Sequence, residues 1–291
     1  MGKAGNVRKA GTMTRADARG RAPRTAAIML AAATLMAAPA AAQDAPNTGA
    51  ISVSTGIDFA TSYYFRGIVQ ETGGFIAQPY LEAGMSLYDG EDGSVSLAAG
   101  TWSSLHSRTD AGFDGAPGIF YETDFYAGLG FGFAGGWGAD VTYTAYMSPR
   151  GSWSTVKEVA VGLSHDDIIA PYITLAFEID GSAAGDNSGT YLELGIEPSL
   201  PLDSPVGVSF PIAVGLSPSD YYDPGGVNEA FGFFNIGAML GVPLTGIPES
   251  YGSWEFTAGI NLLFFGDGLK AINGSTDGFE PIGIFGVSLG Y

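Results

Sequence analysis

Apolar and polar residues alternate with a period of two along most of the chain after Ile51. In residues 121–133 the odd positions are mostly aromatic or aliphatic, whereas the even positions carry Glu122, Asp124 and several glycines. Residues 137–147 repeat this pattern. Successive side chains of a β-strand point to opposite faces, so such alternation indicates strands with one apolar and one polar face. The pattern predicts an all-β protein.

Twelve runs of this kind can be distinguished, and each is at least as long as the roughly 9–11 residues that a tilted strand needs to cross a bilayer. Bacterial single-chain membrane barrels have an even number of strands. The sequence therefore predicts a transmembrane antiparallel up-and-down β-barrel of about 12 strands. The predicted strands are residues 51–66, 73–88, 93–105, 119–133, 136–147, 155–165, 168–180, 189–202, 205–216, 230–243, 252–265 and 280–291.

The connections between the predicted strands alternate in length. Residues 89–92, 134–135 and 166–167 are tight links, whereas 106–118 and 217–229 are long and rich in Gly, Asp, Ser and Asn. Outer-membrane barrels combine short periplasmic turns with longer external loops. We therefore expect the protein to lie in the outer membrane of a Gram-negative bacterium, with both termini in the periplasm.

The N-terminal residues 1–42 have the composition of a targeting segment. Seven of the 12 Lys and Arg residues precede an uncharged stretch, residues 26–42, that is rich in Ala, Leu and Met. A basic, then apolar, then small-residue order is the plan of a secretory signal peptide. We expect residues 1–42 to be removed, residues 43–50 to form a short periplasmic segment and residues 51–291 to form the barrel. Met13 is an alternative start, because residues 13–42 alone keep all three parts.

Composition and charge narrow the classes of function. The 45 glycines and 12% aromatic residues favour strands with tight turns, and 46% apolar residues exclude a disordered polyelectrolyte. Without residues 1–42, five bases remain against 29 acids, a net charge of −24. Such a chain offers no basic face for nucleic acid. The lack of cysteine excludes disulfides, thiol nucleophiles and Cys-ligated zinc.

Carboxylates collect on the face opposite the apolar one, which in a membrane barrel is the lumen. Because burying many unpaired charges is costly, we expect this lumen to hold water or cations, although some acids could simply bond lumen hydroxyl groups. A narrow acidic bore would favour cations. The predicted pore-lining residues are the acids Asp58, Glu82, Glu122, Asp124, Asp140, Glu158, Glu178, Asp180, Glu193, Glu197 and Glu255, with Arg66 as the single base.

The last predicted strand carries a more specific pattern. Phe285, Val287, Leu289 and Tyr291 share one face. This resembles the C-terminal signal by which the outer-membrane barrel assembly machinery recognises its substrates. An aromatic residue at the membrane interface is also favoured by its amphipathic ring. We expect the assembly machinery, outer-membrane lipid and lipopolysaccharide as partners.

A short motif closes the first predicted strand. Ser62, Tyr64, Phe65, Arg66 and Gly67 match a first-strand pattern, and the chain here resembles the TorF family of porin-like exported proteins. The resemblance implies an outer-membrane location and a pore. It implies no catalytic residue and no particular solute.

The expected role of Arg66 follows from its position at the outer mouth of the first strand. There it would face Glu82 and the acids of the fourth strand, and bidentate carboxylate pairs would tie the wall together. Binding of a solute is the alternative. In the same register Tyr63 and Phe65 would face lipid as part of an outer aromatic girdle.

The sequence contains few residues that could act together in catalysis. The two histidines, His106 and His165, are predicted near opposite mouths of the barrel, and no nucleophile elbow is present. The acidic turn 89–93 lacks the glutamate that a calcium loop needs at its twelfth position, which is Gly100. We expect no enzyme activity, no cofactor and no metal site. The sequence predicts a porin-like channel for passive diffusion of small hydrophilic solutes, with preference for cations; the alternative is a closed barrel acting as a surface structural or adhesion protein.

Overall fold

The computed structural model describes residues 49–107, 119–184 and 187–291. The predicted signal peptide and most of the segment 43–50 lie outside these residues. In the described part of the chain, no helix is long and apolar enough to cross a membrane.

The described residues contain fifteen strands and two short helices. The strands are β1 Ile51–Ala60, β2 Tyr63–Phe65, β3 Ile68–Glu71, β4 Ile76–Gly90, β5 Gly93–His106, β6 Phe120–Phe133, β7 Trp137–Met147, β8 Val156–His165, β9 Tyr172–Asp180, β10 Thr190–Ile196, β11 Gly207–Ser209, β12 Ile212–Ser219, β13 Phe231–Pro243, β14 Ser253–Phe265 and β15 Phe279–Gly290. The helices are the 3-10 helix Glu249–Tyr251 and α1 Asp267–Ile272.

The long strands form one antiparallel sheet that closes on itself. β1 pairs with both β4 and β15, and β14 pairs with both β13 and β15, so the ring has no free edge. β11 and β12 both pair with β13 and are two parts of one barrel strand, interrupted at Pro211. Proline has no N–H to donate to the ladder, which explains the break. With β2 and β3 forming a separate hairpin, the barrel has twelve strands, as predicted.

Most predicted strand limits agree with the structure within a few residues, and the exceptions have local causes. The strand predicted at 168–180 begins at Tyr172 because Asp167 accepts the backbone N–H groups of Ile169 and Ala170, at 2.7 and 2.9 Å, and so forms a turn. These donors hold the pKa of Asp167 below its usual value. Residues 197–202, predicted as strand, leave β10 after Ile196. Their contact with the sheet is short: Ser199 forms a bridge with Ser209, and backbone hydrogen bonds join Pro198 to Phe210 and Leu200 to Val208.

The two ends of the barrel differ. At one end, here called the turn end, the connections 91–92 and 134–136 are short, and the start of β1 lies beside the end of β15, where Val53 and Tyr291 exchange backbone hydrogen bonds. At the other, the loop end, the connections 61–75 and 220–230 are longer.

The exterior of the barrel is apolar. Along β7, Val141 and Tyr143 are more than two-fifths exposed, whereas Thr142 and Thr144 between them are buried. The same alternation leaves large apolar side chains exposed around the ring, which forms an apolar belt. Exposed aromatic residues lie at both ends of the belt: Phe133, Trp137, Tyr251 and Tyr291 at the turn end, and Phe120, Phe231, Phe264 and Phe279 at the loop end.

Candidate functional site in the barrel lumen

Residues 61–75, here called the lumen hairpin, leave the wall after β1 and fold into the loop-end half of the lumen. Phe65 pairs with Ile68, so Arg66 and Gly67 form a two-residue turn. Their φ angles of 48° and 81° are both positive, as in the type I′ turns that tight hairpins favour. The prediction that residues 51–66 form one wall strand is therefore wrong beyond Ala60. The sequence signal for the turn was Gly67 between two runs of β-forming residues.

Two side chains predicted to face lipid lie inside the barrel instead. Tyr63 is buried and donates a hydrogen bond to Glu122, at 3.0 Å. The Phe65 ring packs edge-on against Tyr146 of β7, with 5.0 Å between the ring centroids. Both predictions extended the alternation of β1 past the residue where the chain leaves the wall.

Arg66 lies in an enclosure formed by the wall and a loop. Its guanidinium pairs with Glu158 of β8 through two contacts, Nη1 to Oε2 at 2.5 Å and Nη2 to Oε1 at 2.8 Å. It also donates to the Tyr221 hydroxyl at 3.3 Å and lies 4.2 Å from the centroid of the Tyr191 ring. We call Glu158, Tyr146, Tyr191 and Tyr221 the arginine cage. The prediction that Arg66 pairs with Glu82 or with the acids of the fourth strand is wrong, because the hairpin carries it across the lumen to β8.

The members of the arginine cage have partners other than Arg66. Tyr146 donates to Glu158 Oε1 at 3.2 Å, and the Tyr191 hydroxyl donates to Glu193 of β10. The backbone N–H of Tyr221 donates to the Ser217 hydroxyl oxygen at 2.9 Å. The cage is therefore held in place by the barrel wall and one loop.

Further contacts fasten the lumen hairpin on several sides. Tyr222 donates to the carbonyl oxygen of Arg66 at 2.8 Å. The Asn273 side chain accepts from the backbone N–H of Val69 and donates to the carbonyl oxygen of Gly67, both at 2.9 Å. Because Tyr222 and Asn273 lie in two different loop-end connections, the hairpin joins these connections to the wall.

An apolar cluster completes the closure of the loop-end half. Tyr64 and Ile68 of the hairpin pack with Leu269 of α1 and with residues of the wall. The buried members on the wall and the loops are Ala160, Ala176, Tyr191, Tyr221, Tyr222, Phe233, Leu263 and Ile282. We call the hairpin and α1 the plug, which packs against Tyr221 and Tyr222 of the connection 220–230. In the present conformation the plug fills this half of the lumen.

The rest of the lumen, towards the turn end, has a different lining. Inward positions are mostly glycine and serine, and the acids Asp58, Glu82 and Asp140 there are only partly buried. Tyr126 donates to Glu82 at 3.2 Å. Among the described residues, no lysine or arginine side chain is found in this lining. We call this region the acidic vestibule.

The other predicted lumen acids have varied surroundings. Glu178 is buried and accepts the backbone N–H groups of Ala183 and Gly189, each at 2.7 Å, so it closes its own loop. Glu193 accepts from Tyr172 at 2.9 Å, and Glu197 accepts from Ser209 at 2.7 Å. Asp124 and Glu255 are buried on inward positions of β6 and β14.

Asp180 was predicted to line the pore but lies on the exterior. Between β8 and β9 the register shifts, so that Glu158 pairs with Glu178 whereas Lys157 pairs with Asp180, and Ile179 is an extra residue. A one-residue bulge reverses the face of every later side chain. Asp180 therefore forms an exposed ion pair with Lys157 at 2.7 Å.

The two histidines occupy separate places. His106 is buried at the loop end of β5, where it stacks on Tyr121 with 4.3 Å between ring centroids and bonds to Ser104 at 2.7 Å. His165 lies at the turn end and contacts Asp167 at 3.0 Å. They do not share a site. The described residues contain no group of three or more His, Asp and Glu side chains placed to hold a metal ion.

Several solved structures are similar in fold to this chain, at low sequence identity. No protein family and no curated protein matches the sequence. The NanC porin structure is 12% identical, with 82% of this chain and 99% of the porin covered and a TM-score of 0.41. The translocator domain of the autotransporter NalP from Neisseria meningitidis is 13% identical, with coverages of 84% and 89% and a TM-score of 0.40. A FadL homologue from Pseudomonas aeruginosa is 8% identical, with coverages of 83% and 90% and a TM-score of 0.39.

These similarities are too low to transfer a function. The TorF resemblance has no support from a family match and stays a prediction. The twelve-stranded closed barrel rests on its own strand pairing.

The contrast between the buried and the exposed ion pair gives a first prediction. Glu158→Gln leaves the Arg66 charge buried without its partner and should lower the free energy of unfolding by about 3–5 kcal/mol. Asp180→Asn breaks an exposed pair between the same two strands and should change it little. Urea unfolding of the folded barrel, followed by tryptophan fluorescence, measures both variants. Equal effects would show that the Arg66–Glu158 pair does not hold the hairpin.

A second prediction concerns the hairpin turn. A Cβ at Gly67 would lie 2.4 Å from Leu269 Cδ1, whereas one at Gly135, which has the same φ of 81°, meets nothing within 4 Å. Both alanine variants incur the cost of a positive φ, about 1–2 kcal/mol, but only Gly67→Ala adds overpacking of about 1–3 kcal/mol. The same unfolding measurement should therefore rank Gly67→Ala as the more destabilised variant. The reverse order would argue against tight seating of the turn.

Proposed function

We propose that this protein is an outer-membrane barrel that passes small hydrophilic solutes by diffusion through its lumen. One observation carries the proposal: the sheet is closed, with apolar side chains exposed around its exterior and most strand carboxylates in its lumen. Such a surface is unstable in water, where large contiguous apolar patches are rare. In a bilayer it is stable, because closure satisfies the backbone and the belt faces lipid.

The proposed orientation follows from the two ends of the barrel. The shortest connections, 91–92 and 134–136, lie at the turn end together with the start of β1 and the end of β15, and we assign this end to the periplasm. The loop end would then face outward among lipopolysaccharides. The two rings of exposed aromatic residues fit the interfaces of such a membrane. The motif at residues 62–67 supports the further proposal that the chain is related to the TorF porins.

Preference for cations is the finer part of the proposal. The acidic vestibule carries Asp58, Glu82 and Asp140, and the one base in the described lumen, Arg66, is neutralised by Glu158. Lining charges in a narrow bore with low-dielectric walls raise the local cation concentration and repel anions.

The plug favours a second candidate function. With the hairpin seated, the loop-end half of the lumen is filled, which suits a closed barrel with a structural or adhesive role at the surface. Channel function requires the plug to move, whereas the structural role requires it to stay. Conductance of the refolded protein in a planar bilayer separates the two.

The third prediction joins conductance to selectivity. In a KCl gradient, transient release of the hairpin should give the refolded protein discrete conductance steps, and the reversal potential should indicate preference for potassium. The triple change Asp58→Asn, Glu82→Gln, Asp140→Asn should move that potential toward zero. As a control, Asp180→Asn, Asp203→Asn, Glu249→Gln removes the same charge from exposed positions outside the lumen and should have a smaller effect. The effect should weaken at high salt, because the Debye length falls to about 3 Å at 1 M.

Two results would contradict this proposal. A protein that inserts but never conducts would support the closed barrel. A channel that prefers chloride, or is indifferent to the vestibule change, would show that these acids do not line the path.

We also propose that Phe285, Val287, Leu289 and Tyr291 form the assembly signal. All four face the exterior, and Phe285 and Tyr291 are half exposed. The fourth prediction is that removal of Tyr291 strongly reduces the amount of folded protein in detergent-extracted outer membrane. Removal of Thr245, an exposed residue of a connection, should reduce it much less. Equal amounts for the two variants, or recovery of the intact chain as a soluble periplasmic protein, would contradict the proposal.

A further inference from the structure

We propose that the arginine cage is a binding site for small solutes that bear a guanidinium group, and that the chain's own Arg66 occupies it while the lumen is closed. The inference deepens the proposed channel function and depends on it, since it names the solute class that would open the path. Arg66 would act as a tethered ligand, and the solute would compete with it.

The cage does not depend on Arg66 for its shape. Glu158 is held by Tyr146, Tyr191 by Glu193, and Tyr221 by its backbone bond to Ser217. When the hairpin leaves, the carboxylate and the aromatic faces therefore stay in position. A site whose groups are already fixed binds without the entropy cost of ordering them.

The geometry of the cage selects guanidinium among cations. Glu158 makes two parallel contacts with the Arg66 nitrogens, at 2.5 and 2.8 Å, and Tyr191 offers its ring face at 4.2 Å. A planar, forked cation can make both contacts and stack, whereas a spherical cation or an ammonium group cannot match the fork. The ring face adds cation–π attraction.

An open lumen needs a replacement for Arg66 at Glu158. Withdrawal of the hairpin leaves the charged Glu158 carboxylate on the inner wall, where the described residues supply no other base. Arg150 is exposed in a connection, Lys157 pairs with Asp180 on the exterior, and Lys270 pairs with Asp267 of α1. Among the described residues, none of these bases replaces Arg66 at Glu158. A cation that binds Glu158 therefore favours the open lumen.

Arg66, as a tethered ligand, binds the cage imperfectly. Arg66 adopts a positive φ of 48°, which is unfavourable for a residue with a side chain. Its Nε atom is buried without a hydrogen-bond partner in the described part of the chain. A free guanidinium group has neither constraint. A short flexible tether corresponds to an effective concentration of about millimolar. Because Tyr222 and Asn273 also hold the hairpin, we expect a solute to compete from the millimolar range upward.

The experiment follows the hairpin with a single thiol. The chain has no cysteine, and Ile68 is only 7% exposed within the plug, so Ile68→Cys reports release of the hairpin. The folded full-length protein is treated with a water-soluble maleimide in about 1–50 mM guanidinium chloride, a range set by the effective concentration of the tether. Potassium chloride at equal ionic strength is the control salt, and Thr245→Cys, which is exposed, is the control position.

We expect guanidinium to raise the labelling rate of Ile68→Cys severalfold and saturably, with no change at Thr245→Cys. In the Glu158→Gln background labelling should be fast in both salts. Equal rates in the two salts, or the same guanidinium effect with Glu158→Gln, would overturn the proposal, because the effect would then not depend on the cage.

A second measurement covers a variant that fails to fold. Arg66→Ala empties the cage, so guanidinium should raise its thermal unfolding midpoint relative to potassium. The double variant Arg66→Ala, Glu158→Gln should show no such rise. Equal shifts for the single and the double variant would overturn the proposal.

Both readouts use protein in detergent and need no conductance. Guanidinium-dependent labelling without conductance would retain the site but reject the channel. Conductance without guanidinium-dependent labelling would retain the channel but reject the site.

Discussion

Closure of the sheet is the constraint on which the rest of the structure depends. Once β1 pairs with β15 and β14 with β13, every barrel strand is hydrogen-bonded on both sides. No edge is left open. The strands then have only two environments, an exterior and an enclosed lumen, and period-two alternation assigns each side chain to one of them. With the apolar residues outside, nearly all the carboxylates of the strands are confined to the lumen, where charge must be solvated, shared or paired.

The lumen meets this requirement in two ways along its length. Towards the turn end, glycine and serine keep the lining small and leave Asp58, Glu82 and Asp140 partly exposed. Towards the loop end, the carboxylates are buried and several accept from a specific donor: Glu158 from Arg66, Glu122 from Tyr63 and Glu193 from Tyr191. A hairpin that carries a single base can therefore fill half of an acidic barrel, because tyrosine hydroxyl and backbone N–H groups serve other acids there.

The sequence predicts the wall well because strand alternation is a local pattern. It predicts the lumen poorly because the contacts there join residues far apart in the chain. Tyr63 and Phe65 continue the alternation of β1, so nothing nearby shows that the chain has left the wall at Ala60. The partner of Arg66 is 92 residues away on a strand across the barrel, and the direction of the hairpin decides it. The exterior position of Asp180 depends on a one-residue bulge in the pairing of β8 and β9. The residue types of β9 do not show this change in pairing. The twelve strands and most inward acids could be predicted, whereas the plug could not.

The chemistry of the plug sets how a solute could pass. A plug held only by apolar packing would respond to no particular solute, because its release exposes the same surface whatever is dissolved nearby. A plug held by a buried ion pair behaves differently, since its release leaves a carboxylate whose free energy depends on the cations present. The strained turn at Arg66 and the unpartnered Nε weaken the seated state without changing the cage. The balance between seated and released hairpin therefore depends on the occupancy of Glu158, which a cation can change and a neutral solute cannot.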